Sequence, residues 1–136
     1  MKRINNIFKH LLLLIPVMIL AGCGLNNPET VLKKAAKEVN KTCPQRVDDI
    51  TTLTKVIYEN HCFTYVYELD QDEDSEVIMT ADEDLLKSAI SDMMKENAAT
   101  NSDVKSFMNE LRKDNAKLVH RYVMKDGRSR EFEIDY

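Results

Sequence analysis

Between Gly24 and Gly127 the chain contains no glycine, and its only prolines there are Pro28 and Pro44. Turns that need a positive φ are most easily made with glycine. A many-turned β-sandwich is therefore disfavoured, and an α+β domain with few tight connections is expected.

The pattern of apolar residues fills in that outline. Val31, Leu32, Ala35, Ala36 and Val39 recur at three- and four-residue spacing and predict a helix over Glu29 to Lys41. Cys43-Pro44 stops it. Ile50 to Tyr58 and Cys62 to Leu69 are β-branched and aromatic and predict two strands joined at Glu59 to His61. A two-residue Asn60-His61 loop sets Tyr58 opposite Phe63 and Val56 opposite Tyr65. Thr80-Ala81-Asp82-Glu83 has the form of a capping box opening a helix over Ala81 to Asn97. Its apolar stripe is Leu85, Leu86, Ala89, Ile90, Met93 and Met94. Asn101 or Ser102 caps a further helix that buries Val104, Phe107, Met108 and Leu111.

Lys117 to Met124 and Arg128 to Tyr136 are the last strands. A two-residue Asp126-Gly127 loop pairs Arg121 with Phe132. A three-residue loop from Lys125 pairs Tyr122 with Arg130 and His120 with Phe132, and gathers more apolar residues on one face, so it is preferred. The expected order is α-β-β-α-α-β-β, with one antiparallel sheet of two hairpins and the helices packed on one face.

Ahead of this domain, Lys2, Arg3 and Lys9 precede an apolar run from Leu11 to Ala21. That run is about half the ~20 residues a spanning helix needs. The order of charge, apolar run and small residues is that of a secretory signal. Leu20-Ala21-Gly22-Cys23 resembles the lipobox of bacterial lipoproteins. The resemblance implies a signal peptide over 1–22, a lipid on Cys23, a tether over 23–28 and a single domain over 29–136. It also implies a cell-membrane location on the exported side. Gly24 follows the cysteine where an Asp would retain the protein at an inner membrane, so a Gram-negative host points to the outer membrane. The mature chain is similar to a loose family of small uncharacterised exported bacterial α+β proteins. The likeness rests on Cys43-Pro44-Gln45-Arg46-Val47-Asp48, Thr52-Leu53, Tyr65 to Tyr67 and Tyr122 to Gly127. It implies a fold and carries no activity with it. His120-Arg121 departs from the expected β-prone pattern.

Loss of residues 1–22 removes three of the 19 basic residues and none of the 23 acidic ones, which leaves a net charge of −7. Such a surplus disfavours nucleic acid and anionic headgroups as partners. Asp70, Asp72 and Asp74 have calcium-loop spacing, but Ser75 and Ala81 stand where the loop needs glycine and a bidentate acid. His61 and His120 have no metal-ligand spacing, and no cofactor motif is present. Gly-x-Ser-x-Gly is absent, so the chain is read as not an enzyme. Cys43 and Cys62 form a disulfide only if residues 44 to 50 double back along the following strand. Tyr58, Phe63, Tyr65 and Tyr67 share one face of the first hairpin. They are the candidate partner-binding residues, with burial least complete at Tyr65 and Tyr67. The expectation is a membrane-anchored, non-catalytic binding or accessory module of the cell envelope, meeting an envelope protein or a small ligand. The runner-up is an inhibitor or immunity-type protein acting on a cationic envelope enzyme, and a small hydrolase is third.

Overall fold

A computed structural model describes residues 27–136. The expected signal peptide over 1–22 and the expected lipidation site, Cys23, lie outside the described residues.

Helix α1 spans Pro28–Asn40. Asn27 caps it by accepting from the Glu29 amide at 2.9 Å, and Pro28 occupies the first turn, where no amide is needed. Its buried residues are the five apolar positions named above. Strand β1 is the two residues Gln45–Arg46, an addition to the expected order. It pairs antiparallel with β2, Thr51–Glu59, which turns back into β3, Cys62–Leu69. Asn60 and His61 have φ of 50° and 57°, as a two-residue loop with two left-handed positions requires. Tyr58 faces Phe63 and Val56 faces Tyr65, as expected. A bulge at Thr54 shifts the register below it, so Leu53 shares the inner face with Val56 and Tyr58 despite the odd spacing.

Three helices follow, not two. Helix α2 spans Glu73–Thr80, α3 spans Glu83–Thr100 and α4 spans Ser102–Asp114. The acidic stretch is thus largely the start of α2, capped by Asp72 on the Asp74 amide. Thr80 is not a cap: its hydroxyl donates to the Glu76 carbonyl within α2. Asp82 caps α3 instead, accepting from the Leu85 amide at 3.0 Å. Of the expected α3 stripe, Leu86, Ile90 and Met94 are buried, and Leu85 is 39% exposed. Asn101 caps α4, whose four expected residues are buried.

Strand β4 is Lys117–Met124 and β5 is Ser129–Glu133. The sheet order is β1-β2-β3-β4-β5, and β3 pairs with β4 in parallel. This corrects the expected all-antiparallel sheet. The three helices form a crossover that carries the chain from the end of β3 back to its start, and a parallel neighbour is the result. The β4–β5 hairpin adopts the preferred register, Tyr122 with Arg130 and His120 with Phe132. Gly127 supplies the left-handed turn position at φ 93°. Helix residues and the inner face of the sheet form one core, drawn from Leu32 to Ile134. On the opposite face Lys55, Glu59, Lys117, Glu131 and Glu133 are exposed.

Candidate functional site

The aromatic residues singled out from the sequence are brought together, but inside the domain. Tyr58, Phe63, Tyr65 and Tyr67 are 8%, 0%, 3% and 2% exposed. The expectation of least complete burial at Tyr65 and Tyr67 is corrected by topology. It placed β3 near a sheet edge, whereas β3 lies between β2 and β4. The parallel register sets Tyr65 beside His120 and Tyr67 beside Tyr122. Tyr67 stacks on Tyr65 and Tyr122, with ring centroids 6.1 and 5.2 Å apart, and His120 lies 5.4 and 5.5 Å from the Tyr65 and Tyr67 rings. His120 is thus a core residue among three tyrosines. Its neighbour Arg121 points to the other face and donates to Glu131 at 2.7 Å.

This inner cluster is polar at its tips. The Tyr65 and Tyr122 hydroxyls and His120 Nδ1 are buried without a hydrogen-bond partner. Burial depresses His120 to about 3, so it is neutral at physiological pH. Burial raises the phenols of Tyr65, Tyr67 and Tyr122, and the charge of Asp48 adds to the last two. Asp48 Oδ1 accepts from the Ile50 and Thr51 amides at 2.9 and 2.8 Å, while its Oδ2 is buried and unpartnered.

A second constellation was invisible in the sequence. Asp114, at the end of α4, accepts from the Tyr58 hydroxyl at 2.5 Å and contacts His61 Nδ1 at 3.0 Å. Its side chain is 4% exposed, and that of His61 is 58% exposed. The carboxylate sits at a helix C-terminus, which disfavours it, so these two partners offset a poor location. A carboxylate orienting an imidazole is half of an acid–base arrangement. Among the described residues no Ser, Thr or Cys is hydrogen-bonded to His61, and Cys62 instead contacts Thr64 across 3.6 Å. Only chain separations of 53 and 56 residues join this trio, so no local motif announces it.

Residues 44 to 50 do double back, yet Cys43 and Cys62 are both free thiols. Gln45 pairs with Leu53, which carries Cys43 only to about the level of Lys55. Cys62 pairs with Glu59 on the far side of β2. At ~3.4 Å per residue the gap along the strand is about 14 Å, beyond the ~7 Å limit for a bridge. The two ends of the acidic stretch are engaged with cations: Asp70 with Arg46 at 2.6 Å and Lys125 at 3.4 Å, and Glu76 with Arg128. Hydrogen bonding to Arg46 holds the Asp70 carboxyl below its usual range, and hydrogen bonding to Arg128 does the same for Glu76.

Among the described residues there is no group of three or more His, Cys, Asp or Glu placed to hold a metal ion, and no helix is long and apolar enough to cross a membrane. A family model described as "Domain of unknown function (DUF8479)" matches residues 26–132. No curated protein matches the chain. The fold is similar to the crystal structure of a protein from Pseudomonas aeruginosa described as a "putative secreted protein", with a TM-score of 0.61 and 17% identity over 84% of this chain and 96% of that one.

Proposed function

The chain belongs to the DUF8479 family of domains of unknown function, and from that premise we propose that it is a membrane-anchored, non-catalytic binding or accessory module of the cell envelope. One observation carries the reading: Lys2, Arg3 and Lys9, then the apolar run, then Leu20-Ala21-Gly22-Cys23. Cleavage before Cys23 and transfer of lipid to its sulfur leave the domain on a short tether. Two or three acyl chains, at roughly 0.8 kcal/mol per buried methylene, hold it stably at a bilayer. The likeness to a protein described as secreted supports export.

The aromatic face of the first hairpin is core, so a partner meets this module at its outer surface. Lys55, Glu59 and the Asn60–His61 tip of that hairpin reach solvent, and Asp114 holds His61 at the tip. The inhibitor alternative rests on the acidic surplus; Asp70 and Glu76 are paired with Arg46, Lys125 and Arg128, while Asp72, Glu73 and Asp74 form no ion pair among the described residues. Metabolic labelling with a fatty-acid analogue tests the anchor. The wild type takes up label and Cys23→Ala does not; equal labelling of both sinks the proposal.

A further inference from the structure

Helix α1 carries its charge in a stripe. Its buried residues, Val31, Leu32, Ala35, Ala36 and Val39, define the inward face. At 3.6 residues per turn, Lys33, Lys34, Lys37 and Lys41 fall within an arc of about 100° centred opposite that face, and all four are exposed. Glu29 and Glu38 flank the stripe, pairing with Lys33 and Lys41 at 2.7 Å each. These pairs are exposed and weak, so the lysines are free to exchange partners. Lys34 and Lys37 make no ion pair among the described residues. From residue 28 to 41 there are four lysines and two glutamates, while the acidic surplus lies in the rest of the domain. At physiological salt the screening length is about 8 Å, so the stripe presents its own sign despite the net charge of the molecule.

Position adds to charge. Cys23 precedes Pro28 by five residues, a span of at most ~18 Å when extended. A lipid on Cys23 keeps the start of α1 within that distance of the headgroups. We propose that the outer face of α1 docks on anionic phospholipid headgroups and holds the domain against the bilayer in which Cys23 is anchored. The stripe contains Thr30 and the lysines and no large apolar residue, so the contact is with headgroups and not by insertion. The orientation rests on the lipid-anchor reading; the headgroup affinity does not.

The test uses the mature protein purified from its own membranes and mixed with vesicles of phosphatidylcholine alone or with added phosphatidylglycerol. Flotation with the neutral vesicles reports the anchor. Amine-reactive labelling, read by mass spectrometry, reports the docking. On anionic vesicles the labelling of Lys33, Lys34, Lys37 and Lys41 is expected to fall roughly fivefold and to recover in high salt. Lys55 and Lys117 keep their rates. The quadruple variant K33Q/K34Q/K37Q/K41Q removes only solvent-facing charge and loses any salt-sensitive attraction to anionic vesicles. Equal labelling of the α1 lysines on both vesicle types overturns the proposal while leaving the anchor intact. Salt-sensitive flotation with anionic vesicles alone refutes the anchor and supports the docking; flotation with neither refutes both.

Discussion

The Tyr58 hydroxyl reaches the Asp114 carboxylate at 2.5 Å, joining the end of β2 to the end of α4. The same carboxylate holds His61 through its other oxygen. Tyr58→Phe removes the hydroxyl and leaves Asp114 Oδ2 without this donor. An unsatisfied buried acceptor costs about 1–3 kcal/mol, so the urea midpoint should fall by that equivalent with the slope unchanged. A midpoint equal to wild type would show that solvent already serves Asp114.

His120 makes stability depend on acid. Its value in the folded domain is about 3, against 6.5 when unfolded. Between those values the unfolded chain binds a proton that the folded chain refuses. The stabilising contribution of neutral burial is therefore fully present above pH 6.5 and is lost as pH falls towards 3, at roughly 1.4 kcal/mol per pH unit. Since His120 Nδ1 has no partner, His120→Phe sacrifices no bond there. Unfolding free energies measured from pH 7 down to pH 4.5 should decline more steeply for wild type than for His120→Phe. Parallel curves would place His120 in contact with water.

Asp82→Ala should cost about 1 kcal/mol and Thr80→Ala much less. The reason is geometric: Asp82 accepts from the Leu85 amide, while the Thr80 hydroxyl only donates back into α2. Equal losses in thermal or denaturant melts would mean that both residues contribute to the start of α3.

These cases separate what the chain discloses locally from what it does not. The α1 and α4 stripes, the Asn60-His61 loop and the Gly127 register were legible because each depends on neighbours within one turn or one hairpin. The α2 helix was missed because a run of acids reads as a solvated connection, although acids are also what a helix start favours. The parallel β3–β4 pair was missed because no local periodicity distinguishes it from an antiparallel one. That miss then misplaced Tyr65 and Tyr67, whose burial depends on having β4 alongside. It also hid the reason for a histidine at position 120, which packs among tyrosines that two distant strands supply.

The cysteines give the sharpest check on the register of β1. Gln45 opposite Leu53 and Arg46 opposite Thr52 leave Cys43 level with about Lys55, while Cys62 lies beyond Glu59 on the next strand. Cys43 packs against the core, and Cys62 lies beside Thr64 on the opposite face. Neither strand can slide to bring the sulfurs together without turning its core residues outward, since a one-residue slip reverses every side chain. Titration of the protein unfolded without reductant should therefore find both Cys43 and Cys62 reactive, even after export to an oxidising compartment. In the folded protein, burial raises the Cys43 thiol, which lowers its thiolate fraction and should slow its alkylation relative to a peptide thiol. A mass two hydrogens below that of the dithiol, with no free thiol at either position, would require a different path for residues 44 to 50 and would undo the β1–β2 pairing.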